Sequence, residues 1–265
     1  MCTVSWSTTP GGYLLYFNRD ERRERAAALP PRQERGANGR RFLAPLDLEA
    51  GGTWLGVNEL GLTLGLLNHY AADAAPEEAA KSPEGPKAAA PSAAPSTLPP
   101  TSRGLLLRRL LAVDAAPDLE PELGASLQGQ RYRPFTLLAF EPGRRAGPRA
   151  FVWDGVRLRS IPRPVPPISS SSVETASVLA SRIALYRQMG PRPAATALEA
   201  YHRSHRPERG AHSVCMHRWD ARTVSLSRIE VDRERVSFCY GAGPACQARL
   251  GPALILARRT GTRAT

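Results

Sequence analysis

The residues best suited to chemistry stand at the start of the chain, where a cysteine comes within reach of an acidic and a basic side chain. Residues 1–6 and 13–17 are typical of two short strands joined by a Pro-Gly turn. An antiparallel hairpin centred on that turn places Cys2 opposite Arg19. We therefore expect the Cys2 thiol to lie beside Arg19 and Asp20.

A cysteine at position 2 has the layout of an N-terminal nucleophile, because aminopeptidase normally removes a Met that precedes a small residue. Cys2 would then carry both a thiol and a free α-amine, whose ordinary pKa values are about 8.5 and about 7.7–8.0, so a proton can pass between them near neutral pH. Arg19 is expected to favour the thiolate, and Asp20 to hold the ammonium group. The alternative is that Cys2 is a small apolar residue at a frayed terminus.

Several longer motifs carry a resemblance to a known family. They are residues 2–4 (Cys-Thr-Val), 18–21 (Asn-Arg-Asp-Glu), 52–62 (Gly-Thr-Trp-Leu-Gly-Val-Asn-Glu-Leu-Gly-Leu) and 66–68 (Leu-Leu-Asn), with further matches at 102–104 and 132–135. In these motifs the chain resembles the NRDE family, which is also called the transport and Golgi organisation protein 2 family. The likeness is dense over residues 1–70 and thins towards the C-terminus.

That family is similar to the N-terminal nucleophile hydrolases, especially the conjugated bile acid and penicillin V amidases. The resemblance implies that Cys2 is the nucleophile, that Arg19 and Asp20 are its activating neighbours, and that Asn68 is an oxyanion-hole donor. It also implies a four-layer αββα sandwich built from two antiparallel sheets.

Two further residues of the motifs, Asn18 and Trp54, are expected to contact the substrate. One stretch departs from the family pattern. Members often carry Ser-Asn-x-x-x-Asp-Thr-Pro-Trp before a helix, whereas residues 169–175 of this chain are Ser-Ser-Ser-Ser-Val-Glu-Thr. In the amidases an Asn from a comparable region helps to bind the oxyanion or the substrate, and Ser170 stands in its place here.

Composition narrows the class of protein. The 265 residues carry a net charge of +12, but the excess comes from arginines spread along the chain with no nucleic-acid-binding motif, so we expect no nucleic-acid partner. No apolar run is long enough to span a bilayer, and no secretory signal begins the chain. We therefore expect a cytoplasmic protein without stable membrane insertion.

Metal chemistry has little support in the spacing of the candidate ligands. The four cysteines, none in a Cys-x-x-Cys motif, are Cys2, Cys215, Cys239 and Cys246. Four histidines are close in sequence but match no ligand pattern on one helix face: His202, His205, His212 and His217. We expect no metal and no resident cofactor, and we expect the last three cysteines to be small buried residues.

The order of the remaining elements predicts a single α+β domain. After the first hairpin we expect a loop over 26–47, a second hairpin over 53–67 and a disordered Ala/Pro-rich insertion over 71–101. Later expectations are a helix over 105–113, strands over 135–140, 150–153 and 156–159, a helix opened by a capping box at 171–174, a helix over 193–202, and strands over 213–219, 223–231 and 235–240.

These features favour a cysteine N-terminal nucleophile hydrolase that cuts an amide or related C–N bond of a small molecule. A second hypothesis is a non-catalytic protein that binds or carries haem or another amphipathic ligand, since the resemblance also extends to proteins linked to haem movement. A third is a purely structural module, in which Cys2 and its neighbours have no chemical role.

Overall fold

The computed structural model describes residues 2–70, 100–113, 116–143 and 147–259. Nearly all of the insertion predicted over 71–101 lies outside the described residues, as does Met1.

The first of two antiparallel sheets contains the N-terminal hairpin. Its six strands lie in the order β10-β1-β2-β11-β12-β13, where the strands are β1 (Cys2–Thr9), β2 (Gly12–Arg22), β10 (Ile168–Ser170), β11 (Ala221–Val231), β12 (Arg235–Ala242) and β13 (Leu254–Ala257). Within the hairpin, Cys2 pairs with Arg19 and Thr9 with Gly12, so the register predicted from the Pro-Gly turn is confirmed.

The second sheet has seven strands that follow one another in chain order. They are β3 (Leu29–Arg35), β4 (Arg41–Leu46), β5 (Leu55–Asn58), β6 (Thr63–Asn68), β7 (Phe135–Phe140), β8 (Arg149–Trp153) and β9 (Leu158–Pro162). The predicted second hairpin is confirmed as β5 and β6, with Leu55 paired to Gly65.

Three apolar clusters separate four layers. One lies between the sheets and includes Val4, Phe17 and Leu138. A second covers the outer face of the seven-stranded sheet with α1 (Arg103–Leu110) and α2 (Ala116–Leu127), and a third covers the six-stranded sheet with α3 (Thr175–Arg187) and α4 (Ala195–Arg203). The predicted αββα sandwich of two antiparallel sheets is therefore confirmed.

Several local predictions were wrong. Residues 26–47 contain β3 and β4 rather than one loop, because the exposed, proline-bearing β3 is an edge strand whose partner β4 supplies the buried face. The predicted capping box does not form. The N-cap of α3 is Glu174, whose backbone is left-handed and whose side chain makes no capping hydrogen bond, and Ser171 Oγ bonds to the backbone of Val173. Residues 213–219 form an irregular segment with an isolated bridge at His217, not a strand.

None of the helices in the described part of the chain is long and apolar enough to cross a membrane.

Close packing at the start of β2 generates a first prediction. A Cβ atom on Gly12 would lie 1.7 Å from the Val231 carbonyl oxygen of β11. Because that obstacle is backbone, Gly12→Ala should lower the free energy of unfolding by about 2–3 kcal/mol in urea titration. Gly124→Ala is the matched control, since a Cβ there meets no atom within 4 Å and the helix should gain about 1 kcal/mol. Equal effects of the two changes would contradict the packing of the hairpin on β11.

Candidate active site

Cys2 lies at the end of an inner strand, held between two neighbours. It pairs with Arg19 of β2 on one side and with Ser170 of β10 on the other. Its main-chain N–H donates a 3.0 Å hydrogen bond to Ser170 Oγ, and the residue is buried. The main-chain nitrogen of Cys2 is therefore held in position by a hydroxyl group.

Asp20 lies beneath this terminus on the face of β2 that is covered by helices. Its Oδ1 accepts a 2.6 Å bond from Thr223 Oγ1, and Arg182 Nη1 lies 3.8 Å from its Oδ2. Burial raises the pKa of the Asp20 carboxyl, while Arg182 and the positive N-terminus oppose that shift.

Arg182 is a site residue that the sequence did not reveal. Its Nη1 donates to Thr3 Oγ1 at 2.7 Å and to Ser169 Oγ at 2.8 Å, and its side chain is fully buried beside Asp20. A single arginine within an otherwise apolar stretch of α3 was the available signal, because a buried guanidinium requires an acidic partner.

Arg19 lies on the opposite face of β2, between the sheets. Its Nη2 donates to Asp47 Oδ2 at 2.6 Å, and its guanidinium lies 4.0 Å from the centre of the Trp54 ring. Burial raises the pKa of the Cys2 thiol, and among the opposing influences Arg19 is weaker than the positive N-terminus. The expectation that Arg19 makes Cys2 a thiolate is therefore right in direction but is outweighed by desolvation.

Asn18 connects β2 to α4 and to the segment that follows α4. Its side chain is fully buried, and its Nδ2 donates to the carbonyl oxygens of His202 at 2.8 Å and Val214 at 3.0 Å. Trp54 is also buried, and its contact with Arg19 holds that side chain in place. This geometry favours positioning roles for Asn18 and Trp54 over the substrate contacts expected from the sequence.

Asn68 lines a cavity of about 100 Å³ at the end of the two sheets. Ser170 lines the same cavity from the other sheet, and Asn68 Nδ2 donates a 2.8 Å bond to Tyr70 Oη. An amide nitrogen has a second N–H to offer, so Asn68 can also donate to a ligand. The structure thus brings Asn68 and the residue that holds the Cys2 nitrogen to one cavity.

Of the four histidines that are close in sequence, His202 and His212 lie apart, whereas His205 and His217 meet. His202 is buried, with Nε2 2.8 Å from Ser5 Oγ and Nδ1 3.1 Å from Asn18 Oδ1, while His212 lies near Ser177 on the surface of α3. His205 and His217 face each other, with 3.2 Å between their Nε2 atoms.

Two facing antiparallel sheets between helical layers, with a cysteine starting an inner strand, define the N-terminal nucleophile hydrolase fold class. Among the solved structures that match is the C2A mutant of conjugated bile acid hydrolase from Clostridium perfringens. It has a TM-score of 0.50 and 12% identity, and the match covers 100% of this chain and 99% of that chain. At this identity the likeness shows the fold alone. No curated protein sequence matches the chain significantly.

The family follows from a separate comparison. The model of the family described as "Transport and Golgi organisation 2" matches residues 1–152, which is more than half of the 265 residues. The chain therefore belongs to the Transport and Golgi organisation 2 family, as the N-terminal motifs indicated.

The buried His202 generates a prediction about pH. Burial, helped by nearby Arg182, lowers its pKa from 6.5 to about 3. Between these values the unfolded chain binds more protons than the folded one, so stability must rise with pH and fall on acidification. We expect the free energy of unfolding to drop by up to about 1.4 kcal/mol per pH unit below pH 6.5 in urea titrations.

His202→Gln should flatten this slope, whereas His212→Gln, in the segment between α4 and β11, should leave it unchanged. An unchanged slope in His202→Gln would show that this ring does not control the acid sensitivity.

Proposed function

We propose that the protein is a cysteine hydrolase that cuts an amide or related C–N bond in a small molecule, after removal of Met1. The observation that carries this proposal is the 3.0 Å hydrogen bond from the Cys2 main-chain nitrogen to Ser170 Oγ, beside a buried acid. A nucleophile and its own amine, oriented by a third group, meet the requirement for covalent catalysis.

The first step uses the amine as the base. The pKa of the thiol is raised by burial, so a neutral thiol must lose its proton as it attacks. Ser170 Oγ accepts one amine N–H, which orients the nitrogen lone pair toward the thiol. Cys2 Sγ attacks the carbonyl carbon, the α-amine takes the thiol proton, and Asp20 stabilises the resulting ammonium.

The second step releases the amine product. As the C–N bond breaks, the leaving nitrogen takes the proton from the Cys2 ammonium, and a thioester remains on Sγ. Water then attacks the thioester, with the α-amine again accepting a proton, and the acid leaves as the thiol is restored. In both steps we propose that an N–H of Asn68 stabilises the negative oxygen.

The cavity indicates a small substrate. Its volume of about 100 Å³ lies well below the roughly 300–1,000 Å³ typical of pockets for drug-sized ligands. Serine, threonine and asparagine side chains line it together with Leu67, Ile168 and Leu179. We propose that a short acyl group occupies this space, and that the enzyme acts in the cytoplasm as expected from the sequence.

Carriage of haem or another amphipathic ligand remains the competing hypothesis for this site. His69 lines the same cavity and offers an imidazole that can ligate iron. The two hypotheses differ in what they require of Asp20, because only hydrolysis needs a carboxylate that orients an ammonium group.

The test begins with the intact mass of the purified chain, which should lack Met1. A panel of N-acyl amides and acyl lactones is then assayed with wild type, Cys2→Ala, Asp20→Asn and Asn68→Ala. We expect no hydrolysis by Cys2→Ala, and a loss of about 10²–10³ in kcat for Asn68→Ala, the size typical of a lost oxyanion donor.

Two variants serve as matched controls, Cys239→Ala on β12 and Asn38→Ala in an exposed turn, and both should retain wild-type turnover. A haem titration runs beside the assay. Retention of Met1 would overturn the hydrolase proposal. Stoichiometric haem binding that weakens in Cys2→Ala but not in Asp20→Asn, together with no turnover of any substrate, would overturn it in favour of the carrier.

A further inference from the structure

Four ligand-type side chains converge away from the Cys2 site. They come from three separated segments, and their ligand atoms all lie within 4.8 Å of one another: His205, Cys215, His217 and Cys246. Cys215 is buried and the other three are half-buried, so the cluster is sheltered from solvent without being sealed.

Three of the six distances among the ligand atoms, all of them to His217 Nε2, match the edges of a tetrahedron around one ion. The distances are 3.2 Å between the two histidine Nε2 atoms, 3.5 Å from Cys215 Sγ to His217 Nε2 and 3.6 Å from Cys246 Sγ to His217 Nε2. Tetrahedral zinc with bonds of about 2.0–2.1 Å to nitrogen and about 2.3 Å to sulfur has edges of about 3.3 Å for N···N and about 3.6 Å for N···S.

We propose that His205, Cys215, His217 and Cys246 form a structural Cys₂His₂ zinc site. Tetrahedral sites with two sulfur and two nitrogen ligands select zinc among the common divalent ions. Because four protein side chains complete the coordination, no position is left open for water or substrate, and the ion acts as a cross-link rather than in catalysis.

Further contacts are compatible with a bound dication. The Cys246 main-chain N–H points at Cys215 Sγ from 3.4 Å, a donor of the kind that stabilises a metal thiolate. Arg209, Arg23 and Arg222 lie near His217 and disfavour excess positive charge there. Zn²⁺ with two thiolates carries no net charge, so these guanidinium groups do not oppose it.

One contact must rearrange when the ion binds. Arg209 Nη2 lies 3.4 Å from His217 Nδ1, and zinc on Nε2 requires a proton on Nδ1. Two donors cannot face each other, so Arg209 must turn away. Its side chain is exposed and can turn into solvent.

The site would brace the segment that supports Asp20. Met216, between two of the ligands, donates its N–H to Thr223 Oγ1 at 2.8 Å, and the same hydroxyl bonds to Asp20 at 2.6 Å. Tying Cys215 and His217 to His205 and Cys246 would therefore hold the irregular stretch between α4 and β11 in the conformation that presents Thr223.

The test uses the full chain without a polyhistidine tag, grown in zinc-supplemented medium. Elemental analysis should find about one zinc per wild-type chain, and Cys215→Ser or His205→Ala should retain less than a tenth of it. Cys239→Ser and His212→Ala are matched controls that should keep the full content, because neither residue belongs to the cluster.

A second measurement does not depend on the variants folding. Chelated wild-type protein titrated with Co²⁺ should give the intense visible absorption of tetrahedral cobalt with thiolate ligands at one equivalent, and chelation should lower Tm. Wild-type protein that contains no zinc and gives no such cobalt spectrum overturns the proposal, whether or not Cys215 and Cys246 then form a disulfide. Zinc that persists in Cys215→Ser at wild-type content overturns it as well.

Discussion

The candidate site depends on one buried ion pair, because a carboxylate that is removed from water must be compensated or neutralised. Asp20 is buried on the helix-covered face of β2, and Arg182 reaches it from α3. The same guanidinium bonds to Thr3 on β1 and to Ser169 on β10, while Thr223 on β11 satisfies the other carboxylate oxygen. Losing one partner of such a pair costs about 3–5 kcal/mol, so this network ties α3 to four strands, β1, β2, β10 and β11, around Cys2.

Arg19 and Asp20 are adjacent on β2 but have different partners, because the side chains of a strand alternate between its two faces. Arg19 points between the sheets, where Asp47 and Trp54 hold it, and Asp20 points toward the helices. Burial would raise the pKa of Asp47, but the charges of Arg19 and Arg25 lower it overall. Arg19 therefore interacts mainly with Asp47. Arg19 of the motif therefore stabilises the packing between the sheets, whereas Asp20 bonds to groups on the helix-covered side.

Features that depend on neighbouring residues could be predicted from the sequence. The Pro-Gly turn was enough to predict the Cys2–Arg19 register, and the family resemblance implied the four layers. β3 was missed because an exposed edge strand lacks an apolar face. Its partner β4 and the helix α2 were not predicted either. The partner of Arg182 could not be predicted, because Asp20 is distant in sequence and meets it only through the packing of α3 on β2. The cluster of His205, Cys215, His217 and Cys246 was not predicted because its spacing matches no ligand motif and Cys246 joins it only in the fold.

Ser170 shows how a departure from a family motif can be compatible with chemistry. The sequence marked this residue as the loss of an amide, and the structure places it directly across from Cys2 in the strand pairing. At that position the requirement is an oxygen that accepts an N–H, which a hydroxyl meets as well as an amide does. A hydroxyl cannot also offer two N–H donors to an oxyanion, so the proposed hydrolysis requires that role of Asn68, which lines the same cavity from the other sheet. Under that proposal, oxyanion binding comes from the seven-stranded sheet, and Ser170 of the six-stranded sheet holds the Cys2 nitrogen.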